Sequence, residues 1–191
     1  MGLLGGSFNP AHEGHRYISL EALKRLDLDQ VWWLVSPQNP LKETTGMAPL
    51  AQRLGTAREV ARHPRLKVLA LETRLGTRYT ADTLVRLATW RGFRFVWLMG
   101  ADNLAQLHRW RRWRRIMTTC GVAVFERHPY SRRALAAPAA DEFAGSRLPE
   151  ARLKELAEVE PPVWAYVRLR PHPASATAIR AGKGADAGTK D

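Results

Sequence analysis

Two histidines near the amino end, His12 and His15, stand three residues apart just behind a glycine-rich turn, Gly5-Gly6-Ser7-Phe8-Asn9-Pro10. On a helix that spacing puts both imidazoles on one face. Gly14 between them keeps the face open. Glycine gives the turn access to positive φ and clears the path for close backbone approach. The helix expected to follow presents its free N–H groups and the positive end of its dipole to the same space, which is the chemistry of a phosphate site. Imidazoles placed there can donate hydrogen bonds to phosphate oxygens. Two other readings compete: a capping histidine beside a packed one, and a metal-binding pair. The metal pair is the weaker, because no further His, Cys or carboxylate stands nearby at zincin spacing, so no protein metal site is expected. The glycine spacing matches neither G-x-G-x-x-G nor G-x-x-x-x-G-K-S/T.

A second group that could do chemistry is Arg109-Trp110-Arg111-Arg112-Trp113-Arg114-Arg115. Trp110 and Trp113 would share a helix face. Aromatic rings interleaved with arginine can stack on bases and hold phosphates, which raises a nucleic-acid-binding module as a rival of another class. An amphipathic helix that buries its tryptophans and exposes its arginines accounts for the same pattern. No known nucleic-acid motif accompanies the cluster, so no specific nucleic-acid partner is expected.

Composition narrows the classes. The 191 residues fit one domain with a sizeable core. Lysine plus arginine outnumber aspartate plus glutamate by 30 to 18, a formal net charge of +12. Such an excess favours anionic partners: nucleic acid, a membrane surface or a phosphorylated metabolite. One cysteine, Cys120, leaves no intramolecular disulfide and no multi-thiolate zinc site. This usage suits a reducing cytoplasm. The longest apolar runs, such as Val31–Val35, are far shorter than the roughly 20 residues of a spanning helix, so no membrane segment is expected. The sequence leaves a homo-oligomer open.

The stretch Gly5-Gly6-Ser7-Phe8-Asn9-Pro10-Ala11-His12-Glu13-Gly14-His15 resembles the G-G-S/T-F-D/N-P-x-H-x-G-H signature of the nucleotidylyltransferase superfamily. Near the other end, Ser175-Ala176-Thr177-Ala178-Ile179-Arg180 resembles its I-S-S-T-x-I-R element. Ala174 replaces Ile and Ala176 the second Ser, but the hydroxyls of Ser175 and Thr177 and the Arg180 guanidinium remain. Three further stretches resemble the bacterial nicotinate mononucleotide adenylyltransferases: Tyr79-Thr80-Ala81-Asp82-Thr83-Leu84, Gly100-Ala101-Asp102-Asn103-Leu104 through Trp113, and Ser36-Pro37-Gln38-Asn39-Pro40-Leu41-Lys42. The resemblance runs in order over residues 1–181.

The resemblance implies transfer of the adenylyl group from ATP to nicotinate mononucleotide, giving nicotinate adenine dinucleotide and diphosphate, with Mg²⁺ accompanying ATP. His12, His15, Lys42 and Arg180 would act on the reacting phosphates. ATP would be held by Gly5, Gly6, Ser7, Phe8, His12, His15, Gly100, Asp102, Arg127, Ser175, Thr177 and Arg180. The pyridine nucleotide would meet Ser7, Phe8, Asn39, Lys42, Thr80, Trp110 and Arg111. A different acceptor, phosphopantetheine or nicotinamide mononucleotide, is the alternative within the superfamily. On spacing alone Asp102 also reads as a helix cap.

The elements that must position these groups alternate. Strands are expected at residues 2–4, 31–35, 66–71, 93–99, 121–125 and 163–169. Helices are expected at 13–26, 49–62, 80–91 (capped by Thr80) and 149–157, with one or two short ones at 103–117 and a last short one capped by Ser175 and running through Arg180. Residues 126–147 read as a long connection and 182–191 as a frayed tail. This order implies an α/β fold, a doubly wound, Rossmann-like parallel sheet in a single domain with a short C-terminal helical segment. Ligands bind such sheets beyond the carboxyl ends of the strands, where the turns named above lie.

Overall fold

A computed structural model describes residues 1–37, 46–127 and 129–169. Seven strands are found among them: β1 (Gly2–Gly6), β2 (Val31–Val35), β3 (Leu66–Leu69), β4 (Val96–Gly100), β5 (Gly121–Phe125), β6 (Arg147–Leu148) and β7 (Trp164–Val167). They form one parallel sheet in the order β3-β2-β1-β4-β5-β7-β6. The helices are α1 (Glu13–Arg25), α2 (Leu50–Val60), α3 (Leu71–Leu75), α4 (Thr80–Leu87), α5 (Ala101–Leu104), α6 (Trp113–Thr119), α7 (Ser131–Leu135) and α8 (Pro138–Glu142). Among the described residues no helix is long and apolar enough to cross a membrane.

The strands are apolar throughout because both faces of the sheet are covered. Side chains alternate along each strand. Leu3, Leu34, Trp97 and Met99 therefore enter the core shared with α4, α5 and α6. Leu4, Trp33, Val35 and Leu98 enter the core on the opposite face, with Ala22 and Leu23 of α1 and Ala57 of α2. Parallel strands joined by right-handed crossovers put every strand-to-helix turn at one edge.

Several boundaries differ from the sequence expectation. The third strand stops at Leu69, and Leu71–Leu75 is a helix ended by Gly76 at φ 62°. Thr80 is the first residue of α4 rather than its cap; Tyr79 takes the cap position and no side chain caps this end. The segment expected as a plain connection, 126–147, holds α7, α8 and a 3₁₀ turn at Ala144–Ser146. A seventh strand of two residues, β6, follows it at the sheet edge. The helix expected at 149–157 is a 3₁₀ stretch, Glu150–Ala157, kinked at Arg152. The C-terminal helix and the tail lie outside the described residues.

Candidate functional site

The central strands β1 and β4 are neighbours, while the chain leaves β1 for β2 on one side and β4 for β5 on the other. Their carboxyl ends frame the crevice in which doubly wound sheets bind ligands. The turn after β1 and the starts of α1 and α5 all open onto this edge.

The first turn is built differently from what glycine spacing suggests. Neither Gly5 nor Gly6 has a positive φ; the left-handed residue is Phe8, at φ 46°. Gly5 is required because the Trp97 indole lies across it: a Cβ there would stand 2.2 Å from the ring. Phe8 is buried, stacked on Trp33 at 5.0 Å between ring centroids and tilted against His15 at 4.7 Å. A left-handed phenylalanine costs roughly 1 kcal/mol or more, repaid by this aromatic packing.

His12 and His15 come together with ring centroids 3.9 Å apart. His12 is the N-cap of α1, and its Nδ1 accepts the Gly14 N–H at 3.1 Å. The His15 Nδ1 accepts the His12 N–H at 3.2 Å, closing a reciprocal capping box. The capping reading of these histidines is thus correct as local structure, and it also has a chemical consequence. An imidazole whose Nδ1 accepts from the backbone carries its proton on Nε2 when neutral, so both rings are fixed as Nε2–H donors. Ser19, one turn on, donates to the His15 carbonyl at 2.8 Å and accepts from the Trp33 indole at 2.7 Å, tying α1 to β2.

After β4, Asp102 lies in the first turn of α5, whose cap is Gly100, so Asp102 is not the helix cap that its spacing allowed. Its Oδ2 accepts from Arg127 Nη1 at 3.2 Å, joining the exits of β4 and β5. Its Oδ1 is buried and has no hydrogen-bond partner among the described residues. A Cβ on Gly100 would meet that oxygen at 2.4 Å, so a larger residue there would push the carboxylate aside.

Of the residues expected near the pyridine ring, Arg111 and Thr80 come near one another. The Arg111 guanidinium stands 4.8 Å over the Tyr79 ring, next to Thr80, and Arg112 donates to Asp82 at 3.0 Å. As the first helical residues of α4, Thr80 and Ala81 have no intrahelical partners for their N–H groups. The two tryptophans do not share a helix face, because α6 begins only at Trp113, behind Arg112 at φ 54°. The Trp110 N–H is committed to the Leu107 carbonyl at 2.8 Å and is not a donor for a ligand. Arg114 makes a two-pronged contact with Glu142 at 2.6 and 2.8 Å, so part of the arginine cluster is structural. Asn39, Lys42, Ser175, Thr177 and Arg180 lie outside the described residues.

Two buried polar residues behind this edge carried no sequence signal. Arg53, in α2, is only 2% exposed. Glu72, at the start of α3, is 6% exposed, and its Oε2 has no hydrogen-bond partner among the described residues. Burial pushes its carboxyl up to about 7 from an ordinary value of 4.5, and a hydrogen bond from the Ser36 side chain offsets part of the rise.

The family model for cytidylyltransferase-like proteins matches residues 3–182. The chain belongs to that family. Within it, the chain is 53% identical over 181 residues to a Bradyrhizobium sp. (strain BTAi1) protein named "probable nicotinate-nucleotide adenylyltransferase", with 94% of each chain covered. A Cereibacter sphaeroides (strain ATCC 17025) protein of the same name is 55% identical over 182 residues, covering 95% of this chain and 96% of its own. The chain is a member of the nicotinate-nucleotide adenylyltransferase group of cytidylyltransferase-like proteins. Its fold is that of the Plasmodium falciparum nicotinic acid mononucleotide adenylyltransferase complexed with NaAD, at TM-score 0.68 and 14% identity over 94% of this chain and 82% of that one.

Proposed function

We propose that this member of the family transfers the adenylyl group of ATP to nicotinate mononucleotide, in the cytoplasm, using ATP as its Mg²⁺ complex. The attacking group is an oxygen of the mononucleotide phosphate. It forms a bond to the α-phosphorus of ATP as the bond to the bridging oxygen breaks and diphosphate leaves. The nucleophile is already an anion, so no general base is needed. Catalysis then consists of aligning two anions and stabilising charge on the transferring phosphorus and the leaving diphosphate.

The observation that carries this reading is the pair of imidazoles brought together at the amino end of α1, each with Nδ1 accepting a backbone N–H, beside the crevice between β1 and β4. These rings would donate to the triphosphate oxygens, where the helix end adds positive potential. Asp102, with a buried oxygen that has no partner among the described residues, would accept from the nucleoside sugar or base. The Thr80 and Ala81 N–H groups and Arg111 would face the pyridine carboxylate, which accepts hydrogen bonds only. Arg180, Ser175, Thr177 and Lys42 are assigned to phosphate contacts on the resemblance of their motifs. Mg²⁺, a hard cation suited to phosphate oxygens, would arrive on the ATP phosphates.

A diphosphate-release assay with MgATP and a panel of phosphorylated acceptors tests the assignment. Nicotinate mononucleotide should be the preferred acceptor. A preference for 4′-phosphopantetheine would overturn it.

A further inference from the structure

Parallel strands that end together leave their last carbonyls without a ladder partner. Here β1 and β2 run in register to Gly6 and Val35, and the last rung is the Ser36 N–H donating to the Gly6 carbonyl at 2.9 Å. The next carbonyls, those of Ser7 and Ser36, are instead taken by one nitrogen. Nη1 of Arg53 donates to both, at 2.7 Å each. The same guanidinium donates from Nη2 to the Pro37 carbonyl at 3.0 Å and from Nε to the Ala48 carbonyl at 2.8 Å. Ser7 is the turn residue assigned to both nucleotides above, and Ser36 and Pro37 are the chain leaving β2. Among the described residues no carboxylate forms an ion pair with Arg53. A buried cation without one is costly, and burial lowers its pKa. A neutral side chain could not supply four N–H bonds in this fork.

We infer that Arg53 is a positioning residue for adenylyl transfer: one buried guanidinium holds the phosphate-side turn at Ser7 in fixed register with the chain leaving β2 at Ser36 and Pro37. The inference rests on the reaction proposed above. In-line attack requires the two bound phosphates to meet within a fraction of an ångström, and small misplacements far from the bonds being made lower the rate steeply. Arg53 touches neither reacting atom, so it acts through Ser7 and its neighbours. Lysine at this position keeps the charge but lacks the planar fork that reaches all four carbonyls.

The test compares Arg53→Lys with Leu156→Ala, a cavity variant in the core near the start of β5, remote from the edge carrying the site. Both are assayed with MgATP and nicotinate mononucleotide at a temperature where circular dichroism shows full folding. Both should lower Tm. Only Arg53→Lys should lower kcat, by about 10- to 100-fold, with KM for either substrate moving less than about threefold. A kcat within twofold of the parent, or an equal fall in Leu156→Ala, overturns the positioning role. If Arg53→Lys does not fold, Arg53→Gln, with no charge to bury, is read the same way. Failure of both to fold makes Arg53 a structural staple only and also overturns it. A parent chain inactive with this acceptor defeats the proposed function, and the inference with it, before any variant is compared.

Discussion

At the scale of single residues, the site is prepared by hydrogen bonds that do not touch a substrate. The His12 and His15 rings each spend Nδ1 on a backbone N–H, and that choice decides which nitrogen carries the proton. An imidazole donor aimed at a phosphoryl oxygen is worth about 10²–10³ in kcat, so His15→Ala should lose that much in steady-state assays with MgATP and nicotinate mononucleotide. His15 is half-buried at the helix start, and the variant should keep its fold by circular dichroism. Near-full activity would remove the histidines from the phosphate site. Asn9 shows the same economy. Its side chain accepts from the Ala48 N–H at 3.1 Å and donates to the Gly46 carbonyl at 3.2 Å. An aspartate, which the resembled signature also admits there, would keep the first bond and lose the second, since a carboxylate only accepts.

Among the elements, α3 places a carboxyl where little water reaches. Glu72 prefers to be protonated in the folded chain, with a pKa of about 7 against an ordinary 4.5. Below the lower value the carboxyl is neutral whether the chain is folded or not. As pH rises through this window the unfolded chain ionises first, so stability falls, and the loss due to this one group is complete once pH passes the folded value. Glu72→Gln removes the titration and keeps the shape. Its stability advantage over the parent should grow by about 2 kcal/mol between pH 5 and pH 8, measured by urea unfolding at each pH. An equal difference at both pH values would show that the carboxylate is not desolvated. This helix was illegible in the sequence because five residues, Leu71–Leu75, give too short a window for a 3.6-residue period to show. By contrast, β2 and β5 were legible at their exact ends, since a strand buried on both faces must be a continuous apolar run. The two-residue β6 exists only through its pairing with β7, a long-range contact that no local pattern announces.

On the scale of the whole molecule, the chemistry gathers at the carboxyl edge of a single sheet. The turn motif after β1 was readable because histidines and glycines at fixed spacing are rare by chance. What supports it was not. Trp97 over Gly5 and Arg53 beneath Ser7 come from distant parts of the chain and look like ordinary core and surface residues in sequence. The +12 charge gives the whole edge a field that favours anions, while Arg112 and Arg114 are partly spent on Asp82 and Glu142. At the acceptor end, under the proposed function, Thr80, Ala81 and Arg111 would present donors and positive charge to one group of the substrate. A carboxamide there would set its own NH₂ against those donors, at a cost of roughly 1–3 kcal/mol, and would lack the charge attraction. The most direct measurement is therefore kcat/KM for nicotinate mononucleotide and nicotinamide mononucleotide, each with MgATP at matched salt and with the dinucleotide product identified. The predicted result is formation of nicotinate adenine dinucleotide with a preference of about 10² or more for the acid. Equal kcat/KM values, or no dinucleotide from the acid, would contradict the assignment.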